Sequence, residues 1–192
     1  MVDGVPDTAT ALLDAAHAEV LAHGIRRTTA SDIARRAGVS RQTLYRYWPD
    51  AQSVFAALVT RELVRALPGA APRAASLAAL VTLLVDTADE VRRMPLVERL
   101  RETDPELFAR YILERIGTSQ RAIHDELRRR IADGQSDGFV RSGDPSAIAA
   151  MVLLIAQSAV QSAPLVAEWL SGDHWREELG HAFGGYLATD RS

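Results

Sequence analysis

The side chains best suited to recognising another molecule are concentrated in residues 41–48, RQTLYRYW. If these residues form a helix, successive side chains are separated by 100°, and Leu44 points towards the protein interior. The opposite face then carries Gln42, Thr43, Tyr45 and Arg46. Long and aromatic hydrogen-bonding side chains of these types contact base edges and phosphates in the major groove of DNA. An inert, solvated polar face is the alternative, but it would not require so many aromatic side chains beside arginines.

The residues before this stretch have the signals of a second short helix and a tight turn. Thr29 is a suitable N-cap, and Asp32, three residues later, completes a capping box. Gly38 permits the backbone conformation that a tight turn needs, and Ser40 can cap the next helix, over 41–48. Val39 is expected to fill the angle between the two helices. This order predicts a helix-turn-helix.

The remaining chain has helical spacing of apolar residues almost throughout, so we predict an all-α protein. A first helix is expected to run from Asp7 to about His23, and Asp50 is expected to cap a connecting helix over 50–67. The proline- and glycine-containing stretch 67–75 indicates a boundary, which gives domains 1–50 and 68–192 on either side of the connecting helix. Further helices are predicted over 74–93, 96–102, 105–133, 146–170 and 173–189, with a loop over 133–146.

Composition and charge restrict the function. The 192 residues contain no cysteine, which excludes disulfides and thiolate chemistry, and all 22 basic residues are arginine. The net charge is −3, yet residues 24–48 hold six arginines and one acid, so this segment is basic within an acidic chain. A localised basic segment predicts a localised anionic partner. The N-terminus lacks the pattern of a signal peptide, and the apolar run 147–156 is shorter than a membrane span, so we expect a soluble, cytoplasmic protein with no membrane partner.

Catalytic and metal-binding patterns are weak. Residues 134–138, GQSDG, match the G-x-S-x-G pattern of hydrolases, but that motif needs a preceding strand, and a charged helical segment stands there. The five histidines lack metal-ligand spacing, and no lysine exists to complete a phosphate-binding P-loop. We therefore predict no catalytic residues, no metal site and no cofactor, and conclude that an enzyme is a poor interpretation.

Residues 28–59, TTASDIARRAGVSRQTLYRYWPDAQSVFAALV, resemble the DNA-binding domain of the TetR family of bacterial transcriptional regulators. The strong match covers about 8–66, and the rest agrees in architecture only. The resemblance implies a three-helix DNA-binding domain, a connecting helix, and a helical C-terminal domain for ligand binding and dimerisation. It also implies a homodimer on a palindromic operator, with half-sites about one helical turn (roughly 34–36 Å) apart. Such a regulator is usually a repressor that an unknown small-molecule effector releases.

The resemblance also implies roles for individual residues. By position, Arg41, Gln42, Thr43 and Tyr45 face the bases, and Arg46 lies on the same face. Tyr47 and the hydroxyl of Thr29 match positions that contact backbone phosphate. Many relatives have a phosphate-binding lysine at the start of the fourth helix, where this chain has Ala51.

For the C-terminal domain, the resemblance predicts a dimer interface on the last two helices. We expect its residues to be Val152, Ile155, Ala159, Leu179, Phe183 and Tyr186. The alternative is that these apolar stripes serve only the core of one subunit. For a ligand pocket, the candidate contacts are Asp86, Tyr111, Arg115, Gln157 and Gln161, although each residue type is more often an ordinary surface or core-edge residue.

Two other functions remain open. A helix-turn-helix protein can bind DNA as an architectural or accessory factor without sensing a ligand. Alternatively, the basic segment of a helical interaction module can bind an acidic protein. A ligand effect on DNA binding separates the first alternative from a regulator, and a strong preference for one duplex sequence separates the second.

Overall fold

In a computed structural model, residues 7–67, 72–103 and 118–189 are described, and within these ranges all regular elements are helices. The α-helices are α1 (Thr8–His23), α2 (Ala30–Arg36), α3 (Arg41–Tyr47), α4 (Ala51–Ala66), α5 (Leu77–Arg92), α6 (Pro95–Thr103), α7 (Thr118–Ser136), α8 (Pro145–Ser162) and α9 (Gly172–Leu187). Short 3₁₀ turns cover Ile25–Arg27 and Ala163–Val166. The all-α prediction is confirmed.

The N-terminal compact unit comprises 1–62 together with 94–115. Its core is formed by apolar side chains of α1 to α4, which are spaced at helical intervals and are less than one-tenth exposed. The fully or almost fully buried members are Leu12, Ala16, Val20, Ile33, Leu44, Val54 and Leu58. This shared apolar core packs α2 and α3 against α1 and α4, and it thereby fixes the position of the polar face of α3.

Helix α6 also belongs to the N-terminal unit, although the sequence analysis assigned it to the C-terminal domain. Its Leu96, Val97 and Leu100 are buried. At the C-terminus of α1, Gly24 has a φ of 78° and lies against α6, because a Cβ atom there would be 3.2 Å from Oγ1 of Thr103. The two compact units are therefore not separated by a single boundary near residue 68. The chain leaves the first unit within α4, after Glu62, and returns to it at Met94.

The C-terminal unit comprises 63–93 and 116–192. Its core packs α5, α7, α8 and α9 together around Leu80, Ile131, Ile148, Val152 and Phe183, each at most 2% exposed. Asp144 caps α8 by accepting hydrogen bonds from the backbone amides of Ser146 and Ala147. These helices provide two long neighbouring surfaces, on α8 and α9, at the C-terminal end of the chain.

Two predicted boundaries of the C-terminal unit differ from the structure. The expected loop over 133–146 is shorter, because α7 continues to Ser136. Gly134 allows this, since a Cβ atom at that position would lie 2.5 Å from Cγ2 of Val140 and 2.7 Å from Cε2 of Phe139. The returning chain thus packs directly on the last turn of α7. Residues 104–117, which include much of the predicted helix 105–133, lie outside the described residues.

The apolar helix near the C-terminus is shorter than the predicted helix over 146–170, because the α-helix ends at Ser162 and a 3₁₀ turn over Ala163–Val166 follows it. The helical residues Pro145–Val166, 22 in all, contain an 18-residue window with a mean hydropathy of 1.6, which satisfies the length and composition of a membrane span. The ten-residue run 147–156 is therefore only part of the apolar helix. A helix of a soluble protein's core passes the same test, and five of the side chains in Pro145–Val166, including Ile148 and Val152, are in the core of this unit.

Candidate nucleic-acid interface

The turn between α2 and α3 is built by three local features. Thr29 and Asp32 form the predicted capping box at the start of α2, with the backbone amide of each residue bonded to the side chain of the other. Gly38 has a φ of 68°, in the left-handed region that favours glycine, and the amide of Val39 donates to the carbonyl oxygen of Ala34 at 3.0 Å. These bonds end α2 and redirect the chain into α3.

Helix α3 is anchored on its inner side and capped at its start. Leu44 is completely buried, as predicted. The hydroxyl of Ser40 accepts a hydrogen bond from the backbone amide of Thr43 at 3.0 Å, and the two hydroxyl groups are 2.8 Å apart. Thr43 is half-buried, and its hydroxyl group is hydrogen-bonded to Ser40. It is therefore less available to a partner molecule than its exposed neighbours on α3.

The outer face of α3 carries exposed polar and aromatic side chains. They are Arg41, Gln42, Tyr45, Arg46 and Tyr47. The guanidinium group of Arg41 donates to the hydroxyl of Tyr45 from Nη2 at 2.8 Å and from Nε at 3.1 Å. The guanidinium carbon of Arg46 lies 5.6 Å from the ring centroid of Tyr47. The structure thus brings the predicted base-facing residues together on one accessible surface.

Thr29 is committed to the cap of α2 in this structure. Its hydroxyl donates to Oδ2 of Asp32 and accepts from the backbone amide of Asp32. The hydrogen bonds from the side chain and the backbone amide of Thr29 lower the pKa of Asp32, with a further contribution from Arg35. A DNA phosphate would therefore have to displace the carboxylate of Asp32 before it could accept a hydrogen bond from the hydroxyl of Thr29. The sequence match alone did not show this competition.

The six arginines of the basic segment do not contribute equally to its surface charge. Arg35 pairs with Asp32 at 2.6 Å, and Arg36 pairs with Glu19 at 2.7 Å. Arg41 and Arg46 have no carboxylate partner within the described part of the chain. Arg41 and Arg46 therefore present positive charge on α3, where the hydrogen-bonding side chains also lie.

The predicted dimer residues fall into two groups. Val152, Leu179 and Phe183 are 1%, 6% and 0% exposed within one subunit, so they have almost no surface left to bury against a second subunit. The three side chains form the core between helices of one subunit, and their contact with a second subunit stays a prediction. Ile155, Ala159 and Tyr186 are half-buried and lie beside that core.

A different set of apolar side chains is exposed along α8 and the segment after it. Met151, Leu154, Leu165 and Trp169 are 43%, 58%, 79% and 78% exposed. Leu154, Ser158 and Ser162 share one face of α8, and the groove that they line continues to Val166 and Leu170 of the following segment, to which Leu165 and Trp169 also belong. Hydrophobic periodicity alone did not separate this surface from the core-facing one, because α8 is apolar on both sides.

A groove of about 490 Å³ lies beside this exposed surface. Its lining is mostly apolar and comes from α8, α9 and the segment between them: Leu154, Ile155, Ser158, Ala159, Ser162, Val166, Leu170, Trp175, Leu179 and Ala182. Of the predicted ligand contacts that the structure describes, Asp86, Gln157 and Gln161, none is among these lining residues.

Three of the five predicted ligand contacts, Asp86, Gln157 and Gln161, lie within the described residues. Asp86 forms an ion pair with Arg176, and Gln157 and Gln161 are half-buried on α8. Tyr111 and Arg115 lie outside the described residues. Arg176 also donates to Asp89 at 2.9 Å, and Asp89 is 6% exposed. Asp86 is therefore part of a charged link between α5 and α9.

An exposed recognition helix held by an apolar core, with uncompensated arginines on its outer face, defines the class of helix-turn-helix DNA-binding proteins. Residues 12–58 match the family model described as bacterial regulatory proteins of the tetR family. An HTH-type transcriptional regulator of Mycobacterium tuberculosis is 42% identical over 181 residues, covering 94% of this chain and 95% of the relative. A Mycobacterium bovis regulator matches to the same extent.

Solved structures agree in fold. The transcriptional repressor QsdR of R. erythropolis has a TM-score of 0.70 at 15% identity, with 96% of both chains covered. SmeT, the repressor of a multidrug efflux pump of Stenotrophomonas maltophilia, has a TM-score of 0.60 at 23% identity, covering 96% of this chain and 92% of SmeT. This chain belongs to the TetR family, and it is a DNA-binding transcriptional regulator.

Proposed function

We propose that the protein is a cytoplasmic repressor that binds a palindromic operator as a homodimer and acts by binding, without catalysis. The observation that carries this proposal is the outer face of α3, where Arg41, Gln42, Tyr45, Arg46 and Tyr47 are exposed together. Their side chains supply donors for guanine and phosphate and an amide for adenine. Thr43 and Thr29 contribute at the edges of this surface, after their internal hydrogen bonds rearrange.

The test is selection from a random duplex library with the purified full chain, followed by binding measurements at fixed salt. We expect an inverted repeat, bound roughly 10³-fold or more tightly than random duplex. The double variant Gln42→Ala/Arg46→Ala leaves the buried Leu44 intact and should weaken the sequence preference at the base pairs that these two side chains contact. Equal binding to all duplexes would contradict a sequence-specific regulator and favour an architectural factor. Preference for an acidic protein over any duplex would indicate an interaction module.

We propose that the homodimer forms through the exposed surface of α8 and the segment after it. Met151, Leu154, Leu165 and Trp169 supply apolar area, and the adjacent groove offers a concave surface to a second copy. A symmetric pair would bury all four side chains in both subunits. Ile155, Ala159 and Tyr186 lie at the margin of this interface. The same burial explains the apolar character of α8 without a membrane.

We also propose that a small-molecule effector binds the C-terminal unit and releases the operator. A structure of SmeT is a complex with triclosan, which supports ligand sensing in a protein of this fold. Gln157 and Gln161 are the polar contacts that we propose, with Tyr111 and Arg115 from the undescribed segment. Asp86 would contribute only if a ligand displaced Arg176.

The packing of α6 in the N-terminal unit suggests how such a signal reaches the DNA. Helix α4 is the predicted connecting helix, and α6 is a second route because it packs on the end of α1, where Thr103 meets Gly24. Calorimetric titration of effector into free and operator-bound protein tests the coupling. A coupling of about 1–3 kcal/mol is expected for an effector-controlled regulator, and independent binding would contradict this part of the proposal.

A further inference from the structure

Arg41 and Tyr45 form one hydrogen-bonded pair on the outer face of α3. They are four residues apart, so their side chains are neighbours on the helix surface. Nη2 and Nε of Arg41 share the hydroxyl oxygen of Tyr45, at 2.8 Å and 3.1 Å, and the guanidinium carbon is 5.2 Å from the ring centroid. Three contacts between the same two side chains restrict the rotamers of a long arginine that is otherwise exposed.

The pattern of donors determines what remains for DNA. A guanidinium group has five N–H donors, and the tyrosine uses the Nε–H and the Nη2–H that lie along one edge. The other hydrogen of Nη2 and both hydrogens of Nη1 are left. One hydrogen from each terminal nitrogen forms the end fork, whose spacing matches O6 and N7 of guanine. The tyrosine contact therefore restrains the arginine without consuming the fork that reads a base.

The second arginine–tyrosine pair of α3 is arranged differently. Arg46 lies over the ring of Tyr47, with 5.6 Å from guanidinium carbon to ring centroid. None of the hydrogen bonds described for α3 joins that guanidinium to the Tyr47 hydroxyl. Tyr47 is as exposed as Tyr45, at 39% against 38%. The two tyrosines differ in whether the hydroxyl holds an arginine, so Tyr47 provides a matched comparison.

We propose that Tyr45 is a positioning residue that determines specificity through Arg41: its hydroxyl holds the guanidinium fork in the orientation that reads guanine at one base pair of each half-site. Without the hydroxyl, Arg41 samples other rotamers and phosphate contacts, and the preference for guanine decreases while overall affinity changes less. This inference rests on the proposed function, because it concerns how the same surface distinguishes sequences.

The test compares base preferences from a random duplex library for the wild type, Arg41→Ala, Tyr45→Phe, the double variant and Tyr47→Phe. In the wild type, we expect guanine to be favoured roughly tenfold at one position, and Arg41→Ala to abolish that preference. Tyr45→Phe keeps the ring and should reduce the preference at that same position several-fold. The double variant should resemble Arg41→Ala there, since the hydroxyl acts only through the arginine. Tyr47→Phe should leave that position unchanged.

The outcomes separate this inference from the proposed function. If the wild type selects no sequence, the proposed regulator fails, and the inference fails with it. If the wild type selects an operator but Tyr45→Phe retains the full Arg41-dependent preference, only the inference is overturned. The same conclusion follows if Tyr45→Phe weakens the preference at that position equally with and without Arg41, or if Tyr47→Phe weakens it as much as Tyr45→Phe. Circular dichroism of each variant confirms that α3 remains folded.

Discussion

Trp169→Ala is the change that most directly tests the proposed dimer interface. A tryptophan side chain buries roughly 150–250 Å² when it is fully enclosed. Trp169 is 78% exposed in one subunit, which leaves about 120–200 Å² to cover. At about 25 cal/mol per Å², this is roughly 3–5 kcal/mol for each copy, and a symmetric interface contains two copies.

Only part of this burial free energy contributes to affinity, because association also reduces the conformational freedom of side chains and the translational and rotational freedom of the subunits. We therefore expect the variant to weaken the dimer by at least about 3 kcal/mol, which raises the dissociation constant roughly a hundredfold or more. Sedimentation equilibrium over a wide concentration range measures this constant. Operator affinity at low protein concentration should fall in parallel, because both half-sites then have to be bound by separate monomers.

Val64→Ala is the matched control for this experiment. Val64 is an exposed apolar residue, 40% accessible, on α4, which is not part of the proposed interface. Its removal should leave the dissociation constant unchanged. The reasoning is refuted if Trp169→Ala dimerises as tightly as the wild type, or if Val64→Ala weakens the dimer to the same degree.

Three further changes test the site and the core. Arg46→Ala should cost about 1–3 kcal/mol of operator binding if Arg46 makes a bidentate base contact, and unchanged fluorescence anisotropy at fixed salt would remove it from the interface. Gly134→Ala should lower the free energy of unfolding by about 1–3 kcal/mol, because the new Cβ would overlap Val140; Gly172→Ala, with open space around it, should have little effect in the same thermal melts. Asp89→Asn should lower stability at pH 7 by about 1–3 kcal/mol, since it removes the charge that three arginines bind, and wild type and variant should converge in acid.

The pH dependence of Asp89 has a defined sign. Burial raises the pKa of this carboxyl group, but hydrogen bonds from Arg92 and Arg176 and the charges of Arg92 and Arg93 outweigh that effect and lower it below 3.8. A carboxylate with a lowered pKa in the folded state contributes stability that is fully present above its unfolded pKa. The contribution is lost as the pH falls through the lowered value. Chemical denaturation of wild type and Asp89→Asn between pH 7 and pH 2 measures the difference, and a gap that stays constant would contradict this account.

The sequence alone determined the recognition unit, because local interactions specify it. Thr29 and Asp32 must be three residues apart to form the capping box, Gly38 supplies the left-handed turn, and Leu44 marks the inner face of α3. Each of these signals acts within a few residues along the chain. The helix-turn-helix could therefore be located, and its outer side chains named, without any long-range contact.

Only the tertiary structure decided which of several equivalent surfaces is free. Helix α8 is apolar on two sides, and periodicity could not show that Val152 packs inside the subunit while Leu154 is exposed. The assignment of α6 to the N-terminal unit likewise depends on packing between segments about 80 residues apart, such as Gly24 and Thr103. The physical reason is that local patterns show which faces can be buried, whereas the partner that buries each face is chosen by the packing of the whole chain.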